Sequence, residues 1–139
     1  IIKKKILNKE IKKELLKPTK IYTQEVLKLV KNNLINSAAH ITGGGLFENI
    51  ERSVPKDYTI NIDLAKLKIN KIFKWLKENN LSDKEMLKTF NCGVGFCIIV
   101  DKKNVKKIKK YFKKKYCPYE IGYISKGEKR FNISNYLKW

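Results

Sequence analysis

A single histidine, His40, stands three positions ahead of an uninterrupted glycine triplet, Gly43, Gly44 and Gly45, in the stretch AHITGGGLFENI. The whole chain of 139 residues holds only 7 glycines. An imidazole can donate to an oxyanion or move a proton near neutral pH. Glycines between a strand and a helix present backbone N–H groups that a phosphate can approach closely. These residue types together suit the handling of a phosphate or a phosphate-like oxygen. The triplet matches neither the Walker A loop, since no Gly-Lys-Ser/Thr follows, nor the spaced dinucleotide fingerprint. A turn that merely serves backbone geometry explains the same glycines, and a histidine closing a buried strand is commonly a satisfied core residue. The residues alone leave these readings open.

A second cluster, TFNCGVGF, places Asn91, Gly93 and Gly95 where a helix hands over to a strand. Glycine there marks either close approach by a ligand or backbone, or a helix C-cap at Asn91 or Gly93 followed by tight packing. Cys92 lacks a second histidine to activate it, so a nucleophilic role is not expected. The three cysteines are odd in number and show no C-x-x-C spacing, and there is one histidine. No metal site is therefore expected, and free thiols in a reducing cytoplasm are the plain reading.

The elements that must position these residues follow from periodicity. Residues 1–16 carry an interrupted helical pattern, and Pro18 biases KPTKIY toward extended chain. Thr23 is placed to cap a helix through Val30, with Val26, Leu27, Leu29 and Val30 as its buried side. NSAAHIT reads as a strand entering the glycine loop, and GLFENIERSV as a helix burying Leu46, Phe47, Ile50 and Val54. YTINIDL alternates with period two and puts Tyr58, Ile60 and Ile62 on one face. A helix over 70–79 precedes another from Asp83 to Phe90, whose Ser82 and Glu85 stand at capping-box spacing and whose Leu81 can staple onto Met86. VGFCIIV is a continuous apolar run, expected to be a strand covered on both faces. DKKNVKKIKKYFKKKY predicts an amphipathic helix with Asp101 as N-cap, and YEIGYIS and FNIS supply the last strands. The alternation predicts an α+β, layered chain with a central mixed β-sheet flanked by helices.

At 139 residues and 42% hydrophobic, the chain can bury one core, which predicts a single domain over residues 1–139. The longest apolar run, Val94 to Val100, falls well short of the ~20 residues that a membrane-spanning helix needs, so no membrane association is expected. The first residues lack Met and are already helix-patterned, so the chain is expected to be part of something longer, without a signal peptide. Lys+Arg 32 against Asp+Glu 13 gives +19 and a pI near 9.9, a balance that raises nucleic acid as a partner. Yet Arg52 and Arg130 are the only arginines and Ala38, Ala39 and Ala65 the only alanines, while Asn and Ile abound. That profile fits drift toward AT-rich codons or a lysine excess that serves anionic substrates, and arginine, the residue suited to bidentate contacts, is scarce. Nucleic acid is therefore not the expected partner. A basic binding module displaying Trp75 or Trp139 remains an alternative, as does a non-catalytic remnant.

Three motifs, LLKPTKIY at Leu15 to Tyr22, AHITGGGLFENIERSVP at Ala39 to Pro55 and TFNCGVG at Thr89 to Gly95, occur in this order and with these separations. In that arrangement the chain resembles the carboxy-terminal domain of aminoimidazole ribonucleotide (AIR) synthetase, also called phosphoribosylformylglycinamidine cyclo-ligase. The resemblance covers essentially the whole chain. It implies the family's ATP-driven ring closure in purine biosynthesis: the amide oxygen of formylglycinamidine ribonucleotide is activated as an iminophosphate, the amidine nitrogen closes the imidazole, and ADP and phosphate leave. It further implies a cleft between two domains, with ATP and magnesium held mainly by an amino-terminal domain that also forms the homodimer interface. That domain, and the His-Ser-Asn-Gly stretch the family carries just upstream, are not in this sequence, so the chain alone is expected to be inactive. Carried over residue by residue, the resemblance makes His40 the catalytic candidate and Thr42, Gly43, Gly44, Gly45 and Asn49 the phosphate or substrate contacts. It leaves Asn91, Gly93 and Gly95 to shape the cleft floor and Glu48 to a structural role at the helix start.

Overall fold

The computed structural model describes residues 9–112 and 116–139. The helical pattern expected over residues 1–8 and the lysines at 113–115 lie outside the described residues. Helix α1 is Lys9–Leu15, and after the Pro18 segment α2 runs Thr23–Lys31. Thr23 does not cap it. Tyr22 takes the N-cap position with no side-chain cap bond, because its ring is packed elsewhere, against Phe96 at 5.2 Å between centroids. Nor does α2 bury its whole apolar side: Leu29 is fully buried, whereas Leu27 and Val30 remain 51% and 50% exposed.

Strand β1, Ser37–His40, enters the glycine loop, and α3, Gly45–Glu51, leaves it. Strand β2, Tyr58–Asp63, leads through a 3-10 turn at Leu64–Lys66 to α4, Lys71–Lys77, and α5, Asp83–Thr89. Helix α5 carries the expected capping box: Glu85 N–H donates to Ser82 Oγ at 3.2 Å and Ser82 N–H donates to Glu85 Oε2 at 2.8 Å. Such a cap is worth about 1 kcal/mol. Strand β3, Phe96–Ile99, helix α6, Val105–Tyr111, and strands β4, Gly122–Lys126, and β5, Phe131–Ser134, complete the order. Asp101 does not bond into the turn it was expected to cap, since its Oδ1 accepts from Asn36 Nδ2 at 2.9 Å.

The α+β character and the mixed sheet are as expected, with the strands divided between two sheets. One orders β4-β2-β5, with β2 antiparallel to β4 and parallel to β5. The other pairs β1 antiparallel with β3. Because β2 lies centrally and is covered on both faces, Thr59 and Asn61 are buried alongside Ile60 and Ile62, not just one face. Asn61 is satisfied there: its amide donates to Ser125 Oγ at 3.0 Å and its Oδ1 accepts from Asn132 at 3.1 Å. Strand β3, with one partner, is half-buried along its length instead of enclosed on both faces.

The main core gathers Leu46 and Ile50 of α3, Ile60 and Ile62 of β2, and Met86 and Leu87 of α5. Burying each such side chain contributes about 1.5–3 kcal/mol. Leu29, Leu34 and Ile108 form a second cluster that seats the lysine-rich α6, whose other face is solvated.

Arg130 closes the far end of α3. Its Nε pairs with Glu51 Oε1 at 3.2 Å, and its two terminal nitrogens donate to the carbonyls of Glu51, Val54 and Pro55. The last carbonyls of a helix lack partners within it, and a planar guanidinium can serve several at once. Arg130→Ala should therefore lower the unfolding free energy in urea titration by about 2–4 kcal/mol. Arg130→Lys should recover little of the loss, since one ammonium cannot span the same set of acceptors.

Candidate functional site

The antiparallel ladder between β1 and β3 sets the geometry. It places His40 opposite Phe96, and just beyond the ladder Ile41 N–H donates to Gly95 O at 3.1 Å. The histidine-glycine stretch and the Asn91–Gly95 stretch, 50 residues apart in sequence, thus become neighbours. Tyr22 joins them from the start of α2. Its hydroxyl sits over the open side of Gly95, where a Cβ would collide with it. Its ring also meets the His40 imidazole edge-on, with centroids 6.3 Å apart. Burial foremost, then the nearby Tyr116 and Cys97, raises the Tyr22 hydroxyl above its usual range, so it stays a protonated donor.

His40 is exposed, not the buried strand-end residue that core packing would require. It lines an open-sided concavity of about 270 Å³ with Lys20, Tyr22, Val26, Leu27 and Phe96. Tyr22 and Phe96 were not among the residues singled out from sequence as site members. The available signal for Tyr22 was its place as an aromatic between an extended Pro18 segment and a helix start.

The glycines divide by what the fold asks of them. Gly45 is buried with φ +65, and a Cβ there would strike the Leu87 carbonyl of α5; its N–H donates to Thr42 O at 3.1 Å. Gly44 has φ +90, left-handed backbone that favours glycine, with the Glu48 carboxylate beside it. Gly43 is exposed, and nothing lies within 4 Å of where its Cβ would stand. Thr42 is exposed beside it. Asn49 is buried and faces the loop from below: its amide donates to Gly43 O at 3.1 Å and Gly45 O at 2.7 Å. Glu48 pairs with Arg52 one turn on.

In the second stretch, Asn91 O accepts from Val94 N–H at 2.8 Å, and Cys92 and Gly93 between them have φ 47 and 95. These signs match a type I′ turn, with Asn91 Oδ1 also accepting from Gly93 N–H at 3.0 Å. The C-cap of α5 is accordingly Phe90, not Asn91 or Gly93. A Cβ on Gly93 would press on the Lys68 carbonyl at 2.5 Å, so the turn is packed tightly against the 68–70 segment. Burial, with Asp83 adding to it, pushes the Cys92 thiol up to about 11, and burial pushes Cys97 up to about 12. Neither is a thiolate at neutral pH.

A family model described as AIR synthase related protein, C-terminal domain, matches residues 2–133. The chain belongs to this family. Among curated relatives of this AIR synthase related domain, a phosphoribosylformylglycinamidine cyclo-ligase of Lactobacillus helveticus is 41% identical over 94% of the chain and 39% of its own length. One from Streptococcus pneumoniae is 42% identical over 86% of the chain and 35% of its length. A trifunctional purine biosynthetic protein adenosine-3 of Gallus gallus is 40% identical over 89% of the chain and 13% of its length. The chain thus spans well under half the length of each.

Among the described residues, no group of three or more His, Cys, Asp or Glu could hold a metal ion, and no helix is long and apolar enough to cross a membrane. The α3 carboxylates are paired, Glu48 beside Gly44 with Arg52 and Glu51 with Arg130. The donor set around the loop therefore does not fit magnesium. Trp139, one of the aromatics a basic binding module would display, has its Nε1–H bonded to Asp83 at 3.0 Å with Lys77 over its ring.

Gly45→Ala should cost about 3 kcal/mol in urea titration, whereas Gly43→Ala should change stability by no more than about 0.5 kcal/mol. The thiols supply a pH test. Because folding raises the Cys92 and Cys97 pKa values from 9.0, the stability they contribute is complete below 9.0 and declines as pH rises through about 11 for Cys92 and about 12 for Cys97. At pH 8 a disulfide reagent should titrate the exposed Cys117 quickly in the native chain, and all three thiols only in urea.

Proposed function

We propose that this chain supplies the carboxy-terminal part of a cyclo-ligase active site, which converts formylglycinamidine ribonucleotide to aminoimidazole ribonucleotide with release of ADP and phosphate. The observation that carries this reading is the convergence of the three motifs: Tyr22 and His40, from two of them, line one concavity, and Gly95, from the third, lies directly under the Tyr22 hydroxyl. Packing alone would not require the three to meet at a solvent-open surface.

In this reading His40 donates to the amide oxygen of the substrate as negative charge develops on it, or carries the proton released on ring closure. Thr42 and the amides of Gly43 and Gly44 face a phosphate of substrate or product. Gly43 supports that role because no neighbouring contact in the fold calls for a glycine there. Gly45 and Asn49 hold the loop in shape, Gly45 through its approach to α5 and Asn49 through its two carbonyl contacts. Asn91, Gly93 and Gly95 shape the cleft floor, with Gly95 lying under the Tyr22 hydroxyl. ATP would supply the phosphoryl group that activates the amide oxygen. Its magnesium is assigned to the remainder of a longer, homodimeric cytoplasmic polypeptide, consistent with relatives of which this chain covers 35–39%.

The test is an assay of ATP-dependent formation of the aminoimidazole product by the longer polypeptide, with this chain alone in parallel. His40→Ala should lower kcat by about 10²–10³, as for loss of an oxyanion donor. Melting should hardly change, since the side chain is exposed. Normal turnover by the variant would remove His40 from the chemistry.

A further inference from the structure

Given the reading of His40 as the donor to the substrate, on which this rests, we infer that Tyr22 is a positioning residue that fixes the His40 imidazole, seated by the missing side chain of Gly95. His40 closes a strand of four residues and is exposed, so its own strand does little to hold the ring. A group that donates to a developing charge works only from one geometry. Two aromatic rings supply the hold: Tyr22 meets the imidazole edge-on with centroids 6.3 Å apart, and Phe96 meets it at 5.9 Å. Tyr22 and Phe96 touch each other at 5.2 Å, which closes a triangle of three rings. Edge-on and tilted ring pairs have preferred geometries, so the triangle restrains orientation as well as position.

Phe96 follows from the β1–β3 ladder, which sets it opposite His40. Tyr22 comes from outside the ladder and needs its own anchors. Its carbonyl accepts from Val26 N–H at 3.0 Å at the start of α2, and its ring also meets Tyr116 at 6.0 Å. The decisive fit is with Gly95. A Cβ there would stand 2.3 Å from the Tyr22 hydroxyl oxygen, while the nearest ring carbons lie at 3.3 and 3.7 Å. Gly44, Gly45 and Gly93 have left-handed backbone and Gly95 does not, so the Tyr22 side chain, not the backbone, calls for glycine at this position. Gly95 O in turn accepts from the N–H of Ile41, the residue after His40. Tyr22 and His40 are thus seated against the same stretch of backbone, and a shift of one ring is passed to the other.

A positioning role makes Gly95→Ala and Tyr22→Phe interdependent, since losing the hydroxyl removes the atom with which the added methyl collides. In the longer polypeptide, Gly95→Ala and Tyr22→Leu should each lower kcat by about 10–100-fold with KM within about threefold, as for a catalytic group misplaced by about 1 Å. Gly95→Ala added to Tyr22→Phe should cost no further turnover, so the two effects fail to multiply. The imidazole is also readable without activity, because this chain holds one histidine and gives one set of imidazole resonances. Its ring-proton Overhauser effects to Phe96 should weaken in Gly95→Ala and return to their Tyr22→Phe strength when both changes are present. Effects that multiply in the pair, or unaltered Overhauser effects in Gly95→Ala, overturn the proposal. If Tyr22→Leu does not fold, Gly95→Ala carries the test with the ring retained, since the added methyl meets only the far end of one side chain. Weakened Overhauser effects with no product from the native longer polypeptide sink the cyclo-ligase reading alone. Product formed at the native rate by Gly95→Ala sinks the positioning role alone.

Discussion

Four residue pairings between β1 and β3 hold the site together. A two-stranded ribbon is marginal in water on its own, so this one depends on what packs against it. Ala39 and Val94 tie its two segments into the main core, while Ile98 of β3 packs on the second cluster around Leu29. The ladder fixes the register of His40 against Phe96, and that register alone brings Gly95 beneath the Tyr22 hydroxyl. A slip by one residue would turn His40 to the opposite face and bury it.

Charge and packing are kept apart in this molecule. Lysines populate exposed faces such as that of α6, where a flexible ammonium suffices. The two arginines sit where a planar fork is needed, Arg52 against Glu48 and Arg130 across the end of α3. Both flank the helix that leaves the glycine loop. Arg130 braces its carboxy-terminal end, Asn49 and the Gly45 approach to α5 brace its start, and the loop between His40 and α3 inherits its shape from those supports.

Local signals were legible in the sequence. The capping box at Ser82 and Glu85 needs only four consecutive residues to form, and it is present as expected. The strands around His40 and Ile60 are likewise found within a residue or two of their expected positions, and the helix after the glycines starts where expected but ends at Glu51, short of the expected Val54. What escaped was set by partners distant in sequence. Thr23 had the right chemistry for a cap, but the contacts of Tyr22 with Phe96 and Gly95 determine where α2 begins. Leu27 and Val30 lie on an apolar stripe that periodicity assigns to a core, and periodicity cannot tell a buried apolar face from an exposed one. At the site, the histidine and glycine loop were visible as a motif. The separate duties of Gly43, Gly44 and Gly45 were not, because Leu87 and Glu48 decide them in space.

The parallel pairing of β2 with β5 has a consequence for how the chain acquires its fold. Asn61 and Asn132, which exchange a hydrogen bond across that pair, are 71 residues apart, and Arg130 reaches back 79 residues to Glu51. Contacts so remote in sequence are closed late and slowly. On the ribosome, β2 and the end of α3 must wait until Arg130 and β5 have emerged. In the interval the apolar edge of β2 is open to other nascent or misfolded chains, the kind of exposure that invites aggregation. The strong positive charge keeps like chains apart during the time that topology imposes.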